Sequence, residues 1–261
     1  MEFKIETMAD YAARGEKPEV LFWVGCAGSF DERAQKITRA VAKILHHSGV
    51  KFAVLGTEES CTGDPAKRAG NEFLFQMQAM MNIQVLNAYE VTRIVTACPH
   101  CFNTLKNEYP ELGGKYEVFH HSELLQSLIN TGRLSISGGA FAGKKITFHD
   151  PCYLGRGNSV YEAPREVIEK LDSALSEMKR SKAKGFCCGA GGAQMFKEPE
   201  QGTKDVNIER TEEALSLNPD VIAVACPFCM TMMTDGVKNF NKEQEVKVLD
   251  IAELILTAND L

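Results

Sequence analysis

Residues 185–192 read Gly-Phe-Cys-Cys-Gly-Ala-Gly-Gly, two adjacent cysteines followed at once by glycine. Neighbouring side chains in a packed core point in different directions, so packing alone seldom wants two thiols side by side with no bulky residue after them. A group of several metal atoms takes adjacent thiolates on different atoms, and glycine lets backbone N–H groups approach the sulfurs. Taken alone, the pair reads equally as two buried free cysteines acting as small hydrophobes. The other cysteines decide. Cys152 precedes the pair and Cys226-Pro227-Phe228-Cys229 follows it, giving C-x34-C-C-x37-C-x2-C by subtraction of residue numbers. The first half carries Cys26, Cys61 and Cys98-Pro99-His100-Cys101, or C-x34-C-x36-C-x2-C. All nine cysteines fall into these two sets, and none is left over as core filler.

Length and charge narrow the chemistry. With 261 residues the chain can bury a proper core as one large domain or two small ones without disulfides. A net charge of −6 argues against a nucleic-acid partner, which needs a basic surface. The sequence shows no signal peptide and no apolar run of bilayer length, so a cytoplasmic setting without a transmembrane segment is expected. In that reducing compartment, patterned cysteines point to metal or redox chemistry rather than structural disulfides.

The chain alternates short apolar runs with helical periodicity. Val20-Leu21-Phe22-Trp23-Val24 reads as a buried parallel strand ending at Gly25-Cys26. A helix is expected over residues 31–47, a strand over 52–55 leading to Ser60-Cys61, and a helix opened by Asp64-Pro65 and running through Phe73, Leu74, Met77 and Met81. Strands follow at 94–97, ending at Cys98, and at 116–119, before a helix around Leu124, Leu125 and Leu128. The pattern then restarts, with strands at 146–148, weakly at 175–178, at 221–225 and at 246–249, and helices at 163–171, 204–215 and the C-terminus. Ala97-Cys98-Pro99-His100-Cys101 matches Ala225-Cys226-Pro227-Phe228-Cys229, which marks an internal duplication. We therefore expect an α/β fold of two similar parallel-sheet units: an N-terminal arm at 1–19, a first unit at 20–130, a connection at 131–144 containing Ser137-Gly138-Gly139, and a second unit at 145–261.

In a parallel sheet, ligands sit outside the carboxyl ends of the strands. That is where Cys26, Cys61, Cys98, Cys152, Cys188 and Cys226 are expected, so cysteines remote in sequence converge. In each Cys-Pro-x-Cys piece, the first cysteine as N-cap and proline at N1 put the second where free helix N–H groups stabilise a thiolate. Cys26, Cys61, Cys98 and Cys101 suit zinc as well as iron and sulfide, whereas five cysteines exceed what one zinc accepts. The second half therefore favours an iron–sulfur cluster, larger or less regular than a four-cysteine cubane. A thiol–disulfide catalyst would use the two C-x2-C pairs but leave the remaining cysteines unexplained. His149, ahead of Cys152, is a candidate proton or hydrogen-bond donor, with a strand-end histidine bonded to backbone as the alternative. His120-His121 read as structural. The basic run at 179–184 reads as a solvated loop or a dock for an acidic electron carrier, and Gly189 to Gly192 lack the residues of a phosphate loop.

From about Val20 onward, the spacing of Cys152, Cys187-Cys188-Gly189 and Cys226-Pro227-Phe228-Cys229 resembles the cysteine-rich CCG domain. That domain is found twice in one of the subunits of heterodisulfide reductase, and in iron–sulfur subunits of glycolate and lactate oxidation and of flavoprotein-to-quinone oxidoreductases. The resemblance implies a noncubane [4Fe-4S] cluster held by Cys152, Cys187, Cys188, Cys226 and Cys229, with Cys187 and Cys188 at the reactive centre. For Cys26, Cys61, Cys98 and Cys101 it implies a second iron–sulfur cluster or zinc. Ser60 stands where the first half would have its own first paired cysteine; aligning Cys61 with Cys187 instead makes Thr62 the substitute. No C-x2-C-x2-C-x3-C ferredoxin run is present, so electrons are expected through a ferredoxin-like or flavin-bearing subunit, in relatives linked to a quinone at the membrane periphery. The expected function is that of an iron–sulfur electron-transfer subunit of a heterodisulfide-reductase-like oxidoreductase. A metal-stabilised scaffold subunit and a thiol–disulfide oxidoreductase are the alternatives.

Overall fold

The structure, a computed structural model, describes residues 4–137, 139–198 and 201–261. Residues 1–3 of the expected arm and Gly138 of the expected connection lie outside the described residues. The first half runs α1 (Met8–Ala13), β1 (Val20–Trp23), α2 (Gly25–Phe30), α3 (Glu32–His47), β2 (Phe52–Ala53), α4 (Asp64–Arg68), α5 (Glu72–Ala88), β3 (Arg93–Thr96), α6 (Pro99–Asn103), β4 (Glu117–His120) and α7 (His121–Asn130). The second runs β5 (Lys145–Phe148), α8 (Gly155–Asn158), α9 (Glu162–Glu169), β6 (Ala174–Leu175), α10 (Val206–Leu215), β7 (Val221–Val224), α11 (Pro227–Asn239), β8 (Lys247–Asp250) and α12 (Ile251–Ala258).

Each half is one four-stranded, all-parallel sheet, ordered β2-β1-β3-β4 and β6-β5-β7-β8, so the expected pair of similar α/β units is what forms. The register repeats as well. Phe22 pairs with Val95 and Phe148 with Ala223, which sets Trp23 and His149 at the same place one residue further on. Every residue of β1 and β7 is buried, as continuous apolar runs with helices on both faces require. One hydrophobic core spans both halves, with α3 packed on α12 and α7 on α9. Arg33 of α3 clamps Glu253 of α12 through two hydrogen bonds of 2.7 and 2.8 Å.

Four local expectations are corrected. The arm contains α1, opened by a capping box in which the Thr7 hydroxyl accepts from Asp10 N–H and the Asp10 carboxylate accepts from Thr7 N–H, and Met8 and Tyr11 enter the core. The helix expected from Asp64 is two helices, because Gly70 takes φ +84° and Asn71 caps α5 by accepting from Leu74 N–H at 3.1 Å. Within α5 the face is also different: Phe75, Ala79, Ile83 and Leu86 are buried, whereas Phe73, Met77 and Met81 are exposed. The weak strand is only Ala174–Leu175. Cys26, just past β1, lies in the first turn of the short helix α2.

Candidate metal centre

Strand order fixes where the cysteines go. In each sheet the chain reverses its direction of travel between the first and third strands (β1/β3 and β5/β7), and the crevice at such a switch point is the natural ligand site. Cys26 follows β1 and Cys98 follows β3; Cys152 follows β5 and Cys226 follows β7. Cys61 and the Cys187-Cys188 pair arrive on the loops after β2 and β6. Cys98 and Cys226 are the N-caps of α6 and α11, with proline next, so Cys101 and Cys229 stand in the first helical turn as the sequence implied. The helix from Cys98 is unusual beyond α6: it passes into a π-helical stretch, Thr104–Glu108, then a 3₁₀ turn, Tyr109–Leu112.

In the second half, Cys188, Cys226 and Cys229 are buried, while Cys152 and Cys187 are half-buried and form the outer edge. Cys188 Sγ lies 3.4 Å from Cys229 Sγ. The Gly189 N–H donates to Cys187 Sγ at 3.2 Å, which requires the left-handed turn at Gly189, φ +94°. Hydrogen bonds from the Cys152 and Cys188 thiols, with the Gly189 N–H, hold Cys187 well below the usual thiol range against its burial. Its neighbours are pushed the other way, Cys188 up to about 12 by its bond to Cys187.

The first half reproduces this loop with one change. The Gly63 N–H donates to Cys61 Sγ at 3.5 Å, Gly63 has φ +89°, and Cys61 is drawn down to about 7 by the Cys26 thiol and that N–H. Cys61-Thr62-Gly63 therefore follows the path of Cys187-Cys188-Gly189. Thr62 is buried at 2% exposure and its hydroxyl reaches Cys101 Sγ at 3.9 Å, the counterpart of the Cys188–Cys229 contact. Ser60, the alternative substitute, is exposed and bonded to Asn82, away from the sulfurs. The four thiols line a small cleft of about 10 Å³ together with Thr62 and Phe228.

The two sets meet. Cys98 and Cys226 perturb each other's thiols across the two halves, so the two sets are neighbours. Around this junction, His100 Nδ1–H donates to Asp64 Oδ2 at 2.9 Å and the ring packs on Tyr153 and Phe228 of the second half. Burial disfavours its charged form, but Asp64 and then Cys98 outweigh that, and its pKa is raised. His120 and His121 are structural, as expected: His120 packs on His121, whose Nε2 meets Asp250 Oδ1 at 2.9 Å, joining the N-terminal ends of α7 and α12. The basic run is largely committed, with Arg180 bonded to Glu209 and Glu213 and stacked on Phe186, and Lys182 paired with Glu162.

Four supporting groups carry no signal that the cysteine spacing picks out. Glu59 accepts from the Val24 and Gly25 N–H groups, and burial raises its pKa to about 7. Asp150 accepts two bonds from Arg165, at 2.8 and 2.9 Å, and one from the Lys182 N–H at 2.8 Å. Asp64 and Arg210 complete the set, the latter bonded to His149. Glu59, Asp64 and Asp150 are visible only as carboxylates two or three residues from a cysteine; nothing local marks Arg210. The donor set fits a group that takes several thiolates, five in one half and four in the other, and among the described residues no lysine or arginine side chain lines the first-half cleft. Among the described residues no helix is long and apolar enough to cross a membrane.

Comparison with known proteins agrees with this arrangement. The chain is 47% identical over 253 residues to the probable iron-sulfur-binding oxidoreductase FadF of Bacillus subtilis, covering 97% of this chain and 36% of that protein. It is 44% identical over 250 residues to the EtfAB:quinone oxidoreductase of Syntrophomonas wolfei, covering 94% and 35%. It is 32% identical to one of the subunits of the dihydromethanophenazine:CoB–CoM heterodisulfide reductase of Methanosarcina barkeri, covering 93% and 59%. The chain thus spans little more than a third of the first two relatives. A crystal structure of a hypothetical protein from Helicobacter pylori shares the fold, with a TM-score of 0.57 over 93% of this chain and 49% of that one at 9% identity. The model of the cysteine-rich domain family, CCG, matches residues 20–106 and 146–234, and the chain belongs to that family.

Proposed function

We propose that this chain is the cluster-bearing part of a heterodisulfide-reductase-like oxidoreductase, with a noncubane [4Fe-4S] cluster on Cys152, Cys187, Cys188, Cys226 and Cys229. Cys26, Cys61, Cys98 and Cys101 hold a second centre, either an iron–sulfur cluster or, because four thiolates complete a tetrahedral set, zinc. The observation that carries this reading is the convergence of five thiols at one switch point, with Cys188 and Cys229 sulfurs 3.4 Å apart and Cys187 favoured as thiolate. Five thiolates are too many for one zinc and suit a group of several irons.

The bound cluster supplies one-electron chemistry. The chain's own residues bind it, exclude water from its inner edge through buried Cys188, Cys226 and Cys229, and leave the Cys152–Cys187 edge open to a partner. With no ferredoxin motif in the chain, the electron comes from a ferredoxin-like or flavin-bearing subunit or domain and leaves to a disulfide or a quinone-linked acceptor. The quinone-linked name of one relative supports this class of partner, and our reading sets the chain on the cytoplasmic side, at the membrane periphery where the acceptor is a quinone. Iron, sulfide and zinc analysis of anaerobically prepared protein tests the proposal. Brown protein that bleaches on reduction, with iron and sulfide in near-equal amounts, is expected; colourless protein holding zinc alone would refute it.

A further inference from the structure

Resting on that reading, we propose that His149 is a fixed hydrogen-bond donor to the sulfurs of the second-half centre and that Arg210 locks it in this role. A ring nitrogen of His149 lies within 4.8 Å of the Cys188 and Cys229 sulfurs, and the side chain is 1% exposed. On its other side, Arg210 Nε–H donates to His149 Nδ1 at 3.0 Å. Arg210 is wholly buried and held in place by bonds to Arg180 O at 2.8 Å and Glu213 Oε2 at 2.9 Å. A guanidinium has no acceptor, so Nδ1 must receive, and a neutral imidazole then carries its proton on Nε2.

Two roles are thereby closed to His149. With Nδ1 occupied by Arg210 and Nε2 protonated, the ring is not a metal ligand, and a ring that stays neutral is not the proton donor that its place in the sequence allows. What remains is an Nε2–H that the ring can offer to a sulfur of the centre, and such a bond makes reduction of a cluster easier by offsetting the added negative charge. The first half offers an independent parallel. Trp23 occupies the same register position, and its indole N–H is buried with no hydrogen-bond partner among the described residues. Both halves thus present a ring N–H, which can only donate, three residues before the first cysteine of each set.

Pulsed EPR on protein labelled with ¹⁵N-histidine, together with potentiometric titration, tests this on the anaerobically purified protein. A weak nitrogen coupling is expected, lost in His149→Leu, along with a more negative midpoint in His149→Leu that His149→Gln partly restores at unchanged iron and sulfide. Arg210→Met, which frees the ring to change tautomer, is expected to weaken the coupling and shift the midpoint the same way. A strong coupling would make His149 a ligand and overturn the proposal, as would an unchanged midpoint in His149→Leu or, should that variant not fold, in Arg210→Met. Iron present with an unmoved midpoint refutes only the hydrogen bond; absence of iron from the wild-type protein refutes the cluster reading and this inference with it.

Discussion

The two halves tie their cysteine loops together with the same bridge built in opposite directions. In the first half the carboxylate belongs to the later loop: Glu59, two residues before Cys61, accepts from the amides of Val24 and Gly25 at the end of β1. In the second half the carboxylate belongs to the strand end: Asp150, two residues before Cys152, accepts from the Lys182 amide on the later loop. Either arrangement sets the distance between the first and second cysteine loops, so the backbone path survived duplication while its chemistry was exchanged. The consequence is electrostatic. Asp150 is neutralised by buried Arg165, and buried Arg210 stands behind His149, whereas Glu59 accepts from two backbone amides. The five-thiol site thus has Arg210 behind its strand-end histidine, whereas the four-thiol site has a carboxyl group at the corresponding bridge.

Breaking the bridges should show this inequality most strongly. Arg165→Ala leaves Asp150 charged and buried without its partner, and a loss of about 3–5 kcal/mol in anaerobic urea unfolding is expected. Glu59→Ala strands two amides but also removes a carboxyl group that burial disfavours, so a smaller loss, about 1–3 kcal/mol, is expected in the same experiment. Equal losses would mean that the exchange of bridge chemistry carries no energetic consequence. Thr62→Cys supplies the missing fifth thiol beside Cys101, and the first half should then take up the same type of centre as the second, seen as a rise in iron per chain and a doubled cluster signal. An unaltered iron content would mean that more than this one residue separates the sites.

A smaller effect distinguishes the shared core from either site. His120 is buried at the junction, and burial followed by the neighbouring His121 holds its pKa well below the ordinary value of 6.5. A depressed base leaves the folded state without a proton that the unfolded state takes up, so this contribution is intact above pH 6.5 and is lost as the pH falls below it. The expected slope is about 1.4 kcal/mol per pH unit for one proton. His120→Asn should reduce the slope of stability against pH by that amount between pH 6 and 5, and an identical slope would show that His120 is protonated in the folded protein.

Much of the site was legible because cysteine, proline and glycine act locally. The C-P-x-C pieces became N-capped helix starts, and the run 20–24 became a fully buried strand, since each depends only on adjacent residues. Thr62 shows where local reading stopped. The cysteine spacing left Ser60 and Thr62 as alternative substitutes, and the left-handed glycine, Gly63 matched to Gly189, decides for Thr62, because a Cβ there would lie 2.9 Å from the Phe75 ring or 3.1 Å from Val206. On α5, the helical period was readable but its inward face was not, since Phe73 and Phe75 are equally apolar and only packing separates them. Arg210 and Glu59 act on partners 61 and 34 or 35 residues away, contacts that no spacing rule announces.

The central claim is that the two sites are unequal, with the five-thiolate site reactive and the four-thiolate site structural, and paired spectroscopy on Cys188→Ser and Cys61→Ser tests it most directly. With both variants prepared anaerobically beside the wild-type protein, Cys188→Ser should abolish the unusual cluster signal and the electron transfer, while Cys61→Ser should keep that signal and lower metal loading or stability, as expected for a closed site that contributes folding energy. Loss of the same signal and the same activity in both variants would contradict it, and loss of activity in Cys61→Ser alone would place the reactive centre in the first half.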